Sequence, residues 1–473
     1  MIQLLLLALY TAVIGFLGWK IWKKTREMSF ILGIALIYYW TLLGAWFFTY
    51  DDLIGHNGVD WGLHFYHFFE MLFPVHADTY YLLGNLIYAF FIVCVELTVL
   101  FFAKPVAEKK EVKPVMINHV FLIVTCVVTA LISFSLVWKE ILTAAKFHES
   151  IYIVTRMSDG RFFTIHQLLN QVCVVSLYIG LISYISGESG KFISGKRSKK
   201  IFAAYVFAVL FVEAYLLLLG NKREMFFGGI LGAIFYLQNT SYKIKWKSLA
   251  SFIIVVMIPL FFNDGLRGYS PVWLTKYFDT TGLEFHRKKE FTYTEFSMKN
   301  TAFVFLFSNE MFYGHFAMYG ILEKHTPFTY GSSLVSLGAS VVPRAIWPDR
   351  PAPVYDYYAK QMNAEEGQGY TISHPAAWYL NFGIFGVLMG AFALAWIWTW
   401  LYNHHLRVEE TKRGFMKLIF IIGLAAFTAQ LPGMMRNGPE TYKSLVFESV
   451  LLPVFIIYIA SRFYREQVLT ESK

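Results

Sequence analysis

"IQLLLLALYTAVIGFLGWKIWKKTREMSFILGIALIYYWTLLGAWFFT", residues 2–49, holds two long apolar runs parted by a short segment with Lys20, Lys23, Lys24 and Arg26. Each run is long enough for a helix to cross a bilayer, which takes roughly 17–25 apolar residues. Cations packed into a short connection mark it as cytoplasmic. The pattern continues: apolar runs fall near 79–103, 115–137, 166–186, 201–219, 375–402, 415–432 and 444–460, with shorter ones at 225–238 and 249–263. About eleven transmembrane helices are therefore expected. Basic clusters recur at 104–113, 195–200 ("GKRSKK"), 242–247 ("YKIKWK") and 407–413 ("RVEETKR"), and in the tail from Arg462. They occupy every second loop, which puts the N-terminus outside. The first run reads as an N-out anchor and not as a cleaved signal peptide, because its cations follow the apolar stretch and no small-residue cleavage pattern intervenes. The expected fold is an all-α polytopic membrane protein, one integral membrane domain over 1–473.

Composition agrees with that fold. The chain is 56% hydrophobic and 19% aromatic with 15% charged residues, far from the balance of a water-soluble domain. Its net charge of +9 sits largely in the orienting loops, so it speaks for a membrane and against nucleic acid. Cys94, Cys126 and Cys173 all lie in apolar runs, as small hydrophobes. Glu96, Glu213 and Glu448 fall within spans, where ionisable groups are rare and usually functional; for Glu213, pairing with Lys222 or Arg223 near the outer end of its helix is the alternative.

The largest break is residues 264–374, an external loop rich in Pro, Gly, Tyr and charge, with short helices expected in it. Its stretch "TAFVFLFSNEMFYGHFAMYGIL" (301–322) carries Asn309, Glu310 and His315 near its middle. It reads as a helix lying at the interface or packed on the bundle. The alternative, a crossing, requires a second crossing near 330–342.

External loops should be poor in arginine, yet this topology puts Arg223 ("GNKREMF"), Arg267 ("NDGLRGY"), Arg344 and Arg350 ("VVPRAIWPDRPAP", 341–353) and Arg436 ("GMMRNGPE") outside. A guanidinium matches phosphate or carboxylate in bidentate fashion. Four prolines around Arg344 and Arg350 forbid a helix and fix the two cations in a rigid elbow, lowering the entropy lost on binding. An anionic ligand at the outer surface is the reading these residues support, with snorkelling to lipid headgroups as the alternative. Glu310, a carboxyl in apolar surroundings of the kind that favour the neutral form, is the first candidate for a general base. His374, just before Pro375 at the mouth of a span, is the second. Trp347 and Tyr355, in the same loop, are candidates for stacking on a ligand. The external loops hold no Asp-x-Asp pair or His/carboxylate cluster at metal-ligand spacing.

The succession "GNKRE", "LRGY", "SNEMF", "VVPRAIWPDRPAP", "GYTISHPAAWYLNFGIFG" and "MRNGPE" resembles the bacterial oligosaccharide repeat-unit polymerases of the Wzy type, enterobacterial common antigen polymerases in particular. The resemblance covers about 220–440, and the proline elbow is its most specific part. It implies a metal-independent, cofactor-free membrane glycosyltransferase of the bacterial cytoplasmic membrane. Its substrates would be polyprenyl-diphosphate-linked oligosaccharides, joined at the external face, with a chain-length regulator protein as a partner. In that pattern the glutamate of "SNEMF" aligns with Glu310. The segment 278–295, with Arg287, Lys288 and Lys289, departs from the family scheme. An O-antigen ligase shares donor and leaving group, and a flippase of lipid-linked oligosaccharide would also want an arginine-lined site. The single dominant loop and the absence of repeated halves speak against the flippase.

Overall fold

The computed structural model describes the chain apart from residues 1, 55–76, 107–113, 158–162, 187–191, 197, 221, 241–268, 286–313, 340–341, 343–346, 348, 350, 352–353, 364–371, 407–413 and 472–473. In chain order the helices are α1 (Ile2–Thr25), α2 (Met28–Tyr50), α3 (Thr79–Phe102), α4 (His119–Leu136), α5 (Trp138–Lys146), α6 (Ile151–Met157), α7 (Phe163–Ser186), α8 (Lys199–Leu218) and α9 (Lys222–Asn239). There follow α10 (Phe316–Glu323), α11 (Ser332–Ala339), α12 (Val354–Gln361), α13 (His374–Leu406), α14 (Phe415–Asn437) and α15 (Leu452–Glu471). Among the described residues the fold is all-α apart from one parallel pairing, β1 (Val115–Met116) with β2 (Ile193–Ser194). Among the described residues eight helical stretches are long and apolar enough to cross a membrane. One of them, Phe415–Tyr464, has 50 residues. At ~1.5 Å per residue it is long enough for two crossings of a ~30 Å core, and it is interrupted at Gly438–Glu440, between the two runs expected there. The run expected at 249–263 lies outside the described residues.

The chain folds into two compact units, each made of segments distant in sequence. The first comprises Met1–Lys110, Ala302–Val408 and Gln430–Leu445; the second comprises Glu111–Thr301, Glu409–Ala429 and Val446–Lys473. The long loop at 264–374 is thus divided between them.

In the first unit the basic ends of α1, α3 and α13 meet. The Tyr402 hydroxyl shares its one proton between the carbonyls of Thr25 and Lys104, each at 3.2 Å, and Asn403 accepts from the Lys104 amide at 2.8 Å. On α1 the ammonium groups of Lys20 and Lys23 sit 4.6 and 5.4 Å from the rings of Phe16 and Trp19, one turn back, an arrangement suited to a helix end at a membrane surface. Outward-facing Ile2, Leu5, Leu9, Phe16 and Trp19 give α1 an exposed apolar side that water would not tolerate and lipid would.

In the second unit the basic segments also gather. Val115 donates to Phe192 at 2.8 Å, Asn118 donates to Ala460 at 3.0 Å, and the Asn239 side chain accepts from the amides of Phe192 at 2.8 Å and Ile193 at 3.3 Å. Asn239, fully buried at the end of α9, therefore ties the chain before "GKRSKK" to the chain before "YKIKWK". Asn239→Ala is expected to strand two amide donors and cost about 1–3 kcal/mol. Thermal unfolding in detergent checks this, with Asn239→Asp, which keeps the acceptor, closer to the parent.

Two expectations need correction. The span expected from 115 starts at His119, because 115–116 are engaged in the strand pair and Asn118 caps the helix, its side chain accepting from Phe121 at 3.1 Å. The described part of 301–322 contains α10, whose residues Phe316–Leu322 are all buried. Residues 301–313 of that stretch lie outside the described residues, and α10 and α11, eight residues each, are separately too short to cross. The span expected over 375–402 is not one helix. Its backbone breaks at Phe382 (φ −146°, ψ 25°) and Gly383 (φ 60°, ψ −142°), a pair of conformations only glycine completes without strain.

Beyond the break the chain folds back on itself. A Cβ built on Gly386 would stand 2.0 Å from the carbonyl oxygen of Trp378, and one on Gly390 would stand 2.5 Å from the Trp378 ring. Eight residues of straight helix would hold these apart by ~12 Å. So residues 374–381 form a buried half-helix packed antiparallel against 384–406. Thr329 closes its C-terminal end, donating its amide to Leu380 O at 2.7 Å and its hydroxyl to Asn381 at 3.0 Å. Non-helical backbone at membrane depth is tolerated where protein buries it.

Candidate active site

Within the first unit the N-terminus of the half-helix is a meeting point for motifs far apart in sequence. Tyr88, on α3 and fully buried, donates its hydroxyl to Gly314 O at 2.7 Å. Since a hydroxyl has one proton, the 2.5 Å contact with Ser373 must have Ser373 Oγ–H donating to Tyr88. Ser373 in turn caps the half-helix: its Oγ accepts from Ala376 at 3.4 Å and its carbonyl from Ala377 at 2.9 Å. The end of "SNEMFYG" and the start of "SHPAAW" are joined through one phenol.

His374 has no exposed surface. Its Nε2 accepts from the Trp378 indole at 3.1 Å, so a neutral imidazole carries its proton on Nδ1. Nδ1 makes no aligned hydrogen bond, although the carbonyls of Gly390 and Gly438 lie beside the ring. Phe91 and Tyr442 flank it at centroid distances of 5.8 and 5.7 Å. The sequence placed His374 at the mouth of a span; the structure puts it inside the unit, with its basic nitrogen already engaged.

The third participant is the turn after α14. Arg436 lies in the last turn of that helix, half-buried. Gly438 follows at φ +71°, where a Cβ would also press within 3.2 Å of Ala377. Thr441 braces the turn, its hydroxyl proton shared between the carbonyls of Gly433 at 3.2 Å and Gly438 at 3.1 Å. Glu440 then accepts the Val354 amide at 2.9 Å. Val354 begins α12, immediately after the proline elbow, and Ser336 donates to Pro351 in the elbow at 3.4 Å. Elbow, "SHP" and "MRNGPE" therefore belong to one assembly.

Of the residues picked out by sequence, Arg436 and His374 lie in this assembly. Trp347 is 44% exposed, available for contact with a ligand, and Tyr355 is half-buried in α12. Arg223 belongs to the second unit, in the first turn of α9. Arg267, Arg344, Arg350, Glu310 and the cluster Arg287, Lys288 and Lys289 lie outside the described residues. Tyr88, Ser373, Tyr442 and Glu440 were not singled out; the signal for Tyr88 was a tyrosine well inside a span, away from the interfacial belt where tyrosines collect. The span carboxylates divide. Glu213 accepts a hydrogen bond from Tyr178, whereas Glu96, without exposed surface, has neither oxygen hydrogen-bonded among the described residues. Among the described residues no three His, Cys, Asp or Glu side chains gather as metal ligands.

No family model, curated protein or solved structure matches the chain.

Proposed function

We propose that the chain is a polymerase of polyprenyl-diphosphate-linked oligosaccharide repeat units, with eleven spans, its N-terminus outside and its site at the external face of a bacterial cytoplasmic membrane. The observation that carries the reading is that the elbow's exit and the "SHP" half-helix both meet the "MRNGPE" turn in the first unit. The acceptor hydroxyl of one lipid-linked unit attacks C1 of the donor sugar as the bond from C1 to the phosphate oxygen breaks. The lipid diphosphate leaves with the bonding electrons, and arginines stabilise its growing charge without a metal or other cofactor. A single displacement inverts the configuration at C1. With His374 Nε2 taken by Trp378, Glu310 is the better candidate to receive the hydroxyl proton. Trp347 and Tyr355 are assigned to the glycan, and a chain-length regulator is a further partner.

The test is purified protein in nanodiscs, supplied with a defined polyprenyl-diphosphate oligosaccharide and a chelator, with products resolved by size. A ladder spaced by one repeat unit is expected. A single transfer to a different acceptor would make the protein a ligase. No product from the demonstrated native unit, with restored translocation of that unit in cells lacking a flippase, would make it a transporter.

A further inference from the structure

We infer that Glu440 is a positioning residue, whose carboxylate seats the exit of the proline elbow against the turn that carries Arg436. The inference takes from the polymerase reading only the reaction served; the tie itself is geometric.

Val354 is the first residue of α12, so its amide has no carbonyl one turn earlier to receive it. Glu440 Oε1 takes that amide at 2.9 Å. A carboxylate is the best acceptor for this place, since the helix dipole favours negative charge there. Choice of partner is narrow on the elbow's side: Pro351 and Pro353 have no amide hydrogen, so Val354 and Ala352 are the only donors between Arg350 and the helix. The other side is stiff, because Gly438 in its left-handed conformation, Pro439 and the doubly bonded Thr441 leave the turn little freedom. Chain length does the rest. Arg350 precedes Val354 by four residues, so even a fully extended link keeps its Cα within about 14 Å of the tied amide. Arg436 stands four residues before Glu440, at the end of α14. One hydrogen bond thus joins the chain just after the elbow to the turn that carries Arg436, across 86 residues of sequence.

Two conservative variants separate acceptor from charge. Glu440→Gln keeps an oxygen for the Val354 amide and loses the charge; Glu440→Asp keeps the charge and withdraws the oxygen by one methylene. In nanodiscs, tryptic cleavage after Arg344, mapped by mass spectrometry, reports how firmly the elbow is held and needs no knowledge of the substrate. Cleavage in Glu440→Asp is expected to accelerate about tenfold, the factor set by loss of a helix cap, while Glu440→Gln stays within about threefold of the parent. In the ladder assay Glu440→Asp should raise KM for the lipid-linked donor, and Glu440→Gln should restore it. Equal acceleration in both variants, or in neither, overturns the positioning role. A parent protein that makes no ladder from its demonstrated native unit yet shows the cleavage order would refute the polymerase reading and leave the role of Glu440 standing.

Discussion

Gly386→Ala is expected to be the most damaging small substitution in the first unit, costing about 3 kcal/mol or more, at or beyond the usual upper end for overpacking. Its Cβ would stand 2.0 Å from Trp378 O, a backbone atom of the half-helix that no rotamer change can move aside. The half-helix would have to retreat as a body, taking with it Ser373 and the hydrogen bonds to Tyr88 that link Gly314. Thermal unfolding in detergent measures the loss, and Gly15→Ala is the control, since a Cβ at Gly15 meets nothing within 4 Å. A Gly386→Ala protein that melts with the parent would mean that residues 374–381 do not fold back.

The second large effect is on activity. On the proposed reaction, Arg344→Ala is expected to lower kcat/KM for glycan transfer by at least about 100-fold, the range for removing one preorganised donor to developing negative charge. Arg344→Lys should recover only part of it, because an ammonium keeps the charge and loses the fork that grips a phosphate through two parallel bonds. Glu310→Gln should behave differently, abolishing transfer while donor binding persists, since a general base acts on the acceptor proton and not on the diphosphate. Rates measured at saturating and limiting donor distinguish the two. An Arg344→Ala enzyme with unaltered kcat/KM would remove the elbow from the site.

Much of the helical frame could be read from the chain, because burial in lipid demands long apolar runs. Where the reading failed, the cause was local. "NFGIFG" looks like any glycine-bearing stretch of a span, and glycine is common in spans, so nothing in its hydropathy announces that Phe382 and Gly383 reverse the chain. The start of α4 was misplaced because Val115 and Met116 are apolar enough to extend the run, while their backbone is committed to a partner near residue 193. The site was legible as a set of motifs and illegible as a geometry. Tyr88 meets Gly314 and Ser373 across 226 and 285 residues, and no periodicity encodes such pairings. His374 was recognised as an unusual residue, but its tautomer depends on Trp378, whose indole on a span would ordinarily be assigned to the lipid interface.

The interleaving of the two units bears on how the protein is made. The part of the second unit at 111–301 is contiguous, so most of it can collapse as it leaves the ribosome. The first unit must wait: after Lys110 roughly 190 residues are synthesised before Ala302, about 10–40 s at ~5–20 residues per second. For that interval the first three spans sit in the bilayer with the Tyr88 hydroxyl lacking both of its final partners, and the turn bearing Glu440 is still more distant. Nascent α1–α3 is thus the stage at which this chain depends most on an insertase or chaperone, and at which slowed translation would do the most harm.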